Sequence, residues 1–387
     1  MTDISTIQAL VNQRYHGFFL DIKTAQANLL NVDKPTLSVI EIEQSKTVRS
    51  LLRVEKQAIR EKDLNQKQTI NFLKENLNLL NIKIEQRLVE ELKNTENIYQ
   101  KVIGIENAIP ELIDLLSVKA ATISRIESLA SEIPWFYQEL LKLANQPKYR
   151  RTDTKGKTIL IDSLRVALNM FGIENLNPVV LSLSIRRWLP QITDPYPKIK
   201  NRIWEESLAT AIVSRKLASL YEIDENNAFS VGMLQMMGSI VVVRLYFRLF
   251  DLVQREALVE AQNAQLHDQH NAISRLEPSG EFLNQLLDSY ALSTSADLIK
   301  MMNLKRVFIA DAMQEVASKE EIKEISPLGL ALKQARGYSR YRLLKMNSLI
   351  DVDEAKAFIR ELSLPKGALE LLKTTDIRTL NLVTLNK

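Results

Sequence analysis

Between Pro35 and Pro110 the chain has no proline, and between Gly17 and Gly104 it has no glycine. Proline removes a backbone donor and clashes with the preceding turn, and glycine costs backbone entropy, so over this length nothing strongly breaks a helix. Long helices are therefore predicted. The bias extends to the whole chain. Ten glycines and 11 prolines in 387 residues are too few for the repeated turns of an all-β or doubly wound fold, and an all-α class is expected.

From Ile70 onward, Leu73, Leu77, Leu80, Ile84, Leu88 and Leu92 recur at steps of three and four, which puts one apolar stripe on a helix face. Something must cover that stripe, either the chain's own core or a second copy. After Leu80 the steps become repeated fours, which argues against an extended coiled coil. The less regular run Val48, Leu51, Leu52, Val54 and Ile59 precedes it, and one arrangement of the two segments is an antiparallel helical hairpin turning at Lys62 to Gln66.

After Gly104 the texture changes, with prolines at 110, 134, 147, 178, 190, 195 and 197 punctuating shorter helical patterns. Helices are predicted from Ser163 to Phe171, stopped by Gly172, then from Asn177-Pro178 through Trp188, from Asn201 to Tyr221, and from Asn226 to Phe250. Ala228 to Val243 carries no charge. It is short for a membrane span, which needs about 17–25 mostly apolar residues, and it holds Ser230, Gln235 and Ser239. A buried core helix is expected there. The organisation expected is a helical N-terminal module over 1–105, a compact multi-helix domain over 106–376 and a tail over 377–387.

Charge names no partner, since 51 basic and 47 acidic residues leave a net +4. The absence of cysteine removes disulfides, thiolate metal sites and cysteine nucleophiles together and fits a reducing cytoplasm. The mixed polar sequence from Asp3 to Arg14 lacks the basic-then-apolar layout of a signal peptide.

Several phrases in order resemble one family. They are Ile109-Pro110 before a helix, Leu141-Lys142-Leu143-Ala144-Asn145 ahead of Tyr149, Ser163 through Gly172, Trp204-Glu205-Glu206-Ser207, and Ala228-Phe229 through Gly232-Met233-Leu234 with Gly238. Pro327 to Ala335 and Ala355 to Leu372 look like its closing helices. Together they resemble the HDOD family of bacterial signalling domains, relatives of the HD metal-dependent phosphohydrolases. The resemblance implies a multi-helix signalling domain whose metal ligands have decayed. The His-Asp pair of the hydrolases falls on Gln235-Met236, an earlier ligand histidine on Glu206, and a lysine common after the glycine on Ser239. Trp204 leads the helix carrying Glu206, so Trp204, Glu206, Gln235, Met236 and Ser239 outline the degenerate pocket. A neutral amide, a thioether and one carboxylate are a poor set for a hard cation.

Other constellations are weaker. Lys148, Arg150, Arg151, Lys155 and Lys157 with Tyr149 make a basic loop, the best anion-binding candidate in the chain. His267 and His270 stand at i and i+3 without a third ligand at fixed spacing, and a polar surface connection is expected. Adjacent Glu205 and Glu206 diverge by about 100° on a helix and cannot act as a paired acid and base. The reading is a cytoplasmic, non-catalytic signal-transduction protein working through contacts with signalling proteins. It expects no cofactor, no metal and no membrane, with a homodimer through the N-terminal helices left open. The rivals are a residual phosphohydrolase acting on nucleotides or cyclic dinucleotides and a nucleic-acid-associated regulator.

Overall fold

The computed structural model describes residues 4–29, 53–118, 121–149, 151–152, 158–318, 325–380 and 382. Among them the chain is all-α apart from a two-residue antiparallel pairing of Arg151–Thr152 with Thr158–Ile159. The first helices are α1 (Ile4–Leu20), α2 (Ile22–Leu29) and α3 (Arg53–Leu92). A short turn and a six-residue π-helix, Ile98–Ile103, follow. Then come α4 (Ala108–Leu116), α5 (Ile123–Ser131), α6 (Pro134–Ala144), α7 (Leu164–Phe171) and α8 (Ile173–Trp188). The centre of the fold is α9 (Ile199–Tyr221), α10 (Glu225–Leu234) and α11 (Met237–Asn263). The chain closes with α12 (His267–Ile273), α13 (Gly280–Met301), α14 (Ala310–Ala317), α15 (Pro327–Met346), α16 (Val352–Glu361) and α17 (Ala368–Lys373).

Within the long stretch free of helix breakers, Arg53–Leu92 forms one continuous 40-residue helix, α3. This corrects the hairpin reading, because the helix runs straight through Lys62 to Gln66. Those residues are polar but none is a breaker, so nothing there favours a turn. From Leu80 to Leu88 the predicted stripe is covered by the chain itself, whereas Ile70 at its start is exposed. Leu80, Ile84 and Leu88 are buried, and α3 packs on α11, α12 and α13. At the rim Arg87 grips Glu256 at 2.6 Å and Lys83 meets Glu260 at 3.1 Å; such exposed pairs add little stability.

Gly172 ends α7 with φ 71°, a backbone conformation that disfavours a side chain. The next helix begins at once, at Ile173, and not at Asn177-Pro178 as predicted. Pro178 sits inside α8. The carbonyl it deprives of a helical partner belongs to Glu174, an exposed residue that water can solvate.

Residues 228–243 are buried throughout, yet they form two helices rather than one. The break falls at Gln235 and Met236 and is held from outside. Ser295 of α13 donates its hydroxyl to the Gln235 carbonyl at 2.7 Å and accepts the Gly238 N–H at 2.7 Å. By length and composition Glu225–Asn263 would cross a membrane, but 94% of its apolar window lies inside the protein. One buried cluster runs from Ile7 to Ile377, so α1 and α3 share the core of the later helices.

Candidate functional site

Glu206 lies in α9 and is 1% exposed. A carboxylate there must be neutralised or hydrogen-bonded, and two elements supply the partners. From α1, the Tyr15 hydroxyl donates to Oε2 at 2.5 Å. From α15, Arg340 donates through Nε to Oε1 at 2.8 Å. Arg336, one turn earlier on α15, adds a second positive charge. Burial pushes the Glu206 carboxyl upward, but the two guanidiniums and the Tyr15 hydroxyl outweigh it and hold it below the usual carboxylate range. Burial and the neighbouring Glu206 charge push the Tyr15 phenol well above its ordinary value. Burial, helped by Arg340, brings Arg336 down to about 10, and its Nη1 has no hydrogen-bond partner.

α1 is fixed at this place by further contacts along its length. Arg14 forks onto both carboxylate oxygens of Glu354 in α16, with the Nη2 arm at 2.6 Å. That pairing holds Glu354 below its ordinary range. His16 meets Asp288 at 3.1 Å, and its carbonyl accepts from Asn284 Nδ2 at 3.3 Å, both on α13. The guanidinium of Arg340 also stacks 4.5 Å from the Tyr15 ring, and that of Arg202 lies 3.7 Å from the Phe18 ring. Both are cation–π contacts.

The pocket residues read from the sequence divide. Glu206, Gln235, Met236 and Ser239 are all buried. Both side-chain amide atoms of Gln235 lack a partner, and the Ser239 hydroxyl reaches only the Met236 sulfur at 3.9 Å. Trp204 stands two residues before Glu206, hence about 200° round the helix, and takes the Arg186 guanidinium at 4.2 Å instead. Among the described residues no group of three or more His, Cys, Asp or Glu could share a metal ion. The donor set does not fit a hard divalent cation, since its one carboxylate is occupied at both oxygens and its neighbours are an amide and a thioether. His267 and His270 lie on α12 at the surface.

In the basic loop, Arg150, Lys155 and Lys157 lie outside the described residues, as does the side chain of Arg151. Lys148 lies 5.5 Å from the Tyr149 ring centre and reaches the Leu380 carbonyl at 3.4 Å. The residues that the sequence left unmarked are Tyr15, Arg336 and Arg340. The only available signal was two arginines four apart on a helix that otherwise buries its faces.

The HDOD domain family model matches residues 105–280. Those residues are an HDOD domain. Helices α1 and α3 before it, and α13 to α17 after it, share one buried cluster with it. Two solved structures are similar. One is a candidate phosphohydrolase from Shewanella amazonensis SB2B, 17% identical, covering 72% of this chain and 97% of that one with a TM-score of 0.39. The other is the MmoQ response regulator from Methylococcus capsulatus str. Bath, 17% identical, covering 70% and 97% with a TM-score of 0.31. No curated protein matches the chain.

Proposed function

We propose that this protein is a non-catalytic regulator whose HDOD domain works through contacts with other signalling proteins, and that α1 closes over the place where an HD hydrolase would hold its metals. The observation that carries the reading is the state of Glu206. A hydrolytic metal needs several hard donors and an open position where bound water loses a proton. Here Tyr15 and Arg340 take both oxygens of the lone carboxylate, and two cations stand where a third positive charge would be repelled.

The test uses the full chain, loaded with Mn²⁺ or Ni²⁺, dialysed and assayed for metal content and for hydrolysis of bis(p-nitrophenyl) phosphate and a cyclic dinucleotide. The expected result is no stoichiometric metal and no turnover above buffer. Retention of one or two equivalents together with turnover overturns the reading in favour of a residual phosphohydrolase.

A further inference from the structure

A cleft of about 900 Å³ lies away from Glu206, between the π-helix, α4, α5 and the connection after α13. That is within the usual range for small-molecule sites, about 300–1,000 Å³. Its walls are held from several directions. Gly104 and Ile105 both donate their N–H groups to the Tyr99 carbonyl, closing the π-helix. Arg244 of α11 donates to the carbonyls of Val102 and Trp188, tying that helix to α8. Six residues of π-helix are uncommon and recur at functional sites. On the opposite wall, the Asp114 carboxylate of α4 accepts the backbone N–H groups of Lys305 at 2.7 Å and Arg306 at 3.0 Å. The carboxylate is spent on the backbone, and the two side chains remain free in the cleft.

Lys305, Arg306 and Arg125 of α5 all line this cleft, and none of their side chains has a hydrogen bond or ion pair among the described residues. Elsewhere arginines of this chain find partners, as Arg14, Arg87, Arg215 and Arg340 do. Glu96, Glu111 and Asp114 line the cleft as well, so its formal charges balance, and what favours an anion is the wall where three cationic side chains lack partners. The floor is different. Leu115 and Met302 are buried, and Leu129 and the Tyr99 ring complete an apolar base. Glu96 and Glu111, on the same lining, disfavour a bare anion lying against their walls and leave the basic wall as the anionic end.

We propose that this cleft is a binding site for a small organic anion, with its phosphate or carboxylate group against Arg125, Lys305 and Arg306 and its apolar body on the Leu115, Leu129 and Met302 floor. This goes beyond the regulatory reading and does not depend on the fate of the Glu206 pocket.

The experiment titrates the full chain by calorimetry at low salt with 1-naphthyl phosphate and, separately, with inorganic phosphate. One saturable site is expected for 1-naphthyl phosphate, at least tenfold tighter than for inorganic phosphate. Arg125→Ala, and separately Lys305→Ala with Arg306→Ala, each weaken it at least tenfold. Lys216→Ala, at an exposed basic residue of α9 outside the cleft, leaves it unchanged. These cleft side chains are exposed, so the thermal melts of the variants should coincide with that of the parent. Absence of saturable binding, equal affinity for the two probes, or equal affinity across all variants overturns the proposal.

Discussion

The Tyr15 hydroxyl donates to Glu206 at 2.5 Å although 191 residues of chain separate them. This bond joins the first helix of the protein to the central helix of the HDOD domain. Hydrogen bonds to charged groups contribute about 1.5–3 kcal/mol. Tyr15→Phe keeps the ring against Arg340 and removes only the hydroxyl, so it should lower the unfolding free energy by roughly that amount. Urea unfolding of the two proteins measures it, and an unchanged midpoint would contradict the role assigned to the bond.

Glu206→Gln should cost more, because Arg340 and Arg336 would be left as buried charges without their counter-ion. Removing one member of a buried pair typically costs about 3–5 kcal/mol. The pH dependence has a definite sign. The Glu206 carboxyl is held below its ordinary value, so its contribution is complete above the unfolded carboxyl pKa, about 4.3. It is lost as pH falls through the folded value. The stability gap between parent and Glu206→Gln, read from urea midpoints at pH 7, 5, 4 and 3, should therefore narrow on acidification. A gap that stays constant would show that the carboxylate is not the titrating partner.

Much of the fold is legible in the sequence because local pattern and tertiary packing agree. Leu80, Ile84 and Leu88 are spaced for one helix face, and that face is buried. Legibility fails where the deciding contact is distant. Ala228 to Val243 is apolar all round, so no periodicity marks the bend at Gln235, which is imposed by Ser295 sixty residues on. The carboxylate at 206 is identifiable from its place in the Trp-Glu-Glu-Ser phrase. Its partners are not, since a tyrosine in α1 and two arginines in α15 acquire meaning only when three helices meet.

Gly238 tests the bend directly. A Cβ built there would stand 1.8 Å from the Ala291 carbonyl oxygen and 2.7 Å from the Ser295 nitrogen, and backbone atoms cannot swing aside as a flexible side chain can. Overpacking of this kind costs roughly 1–3 kcal/mol or more. Gly238→Ala should lower the thermal midpoint markedly. Gly367→Ala is a different case, because nothing lies within 4 Å and φ is 85°; its smaller loss comes from backbone strain alone.

Two isoleucines on α3 separate the buried face from the open one. Ile84 is fully buried, whereas Ile82, two residues earlier and about 200° round the helix, is 54% exposed. If the stripe is covered by α11 and α12 of the same chain, Ile84→Ala leaves a cavity and costs about 2–5 kcal/mol at any protein concentration. Ile82→Ala should fall within about 0.5 kcal/mol of the parent. The concentration series matters, because a face buried only between two copies would make the Ile84→Ala loss depend on how much protein is present. Chemical unfolding at two concentrations a hundredfold apart should return the same Ile84→Ala difference, and a difference that grows with concentration would place the stripe at an interface between copies.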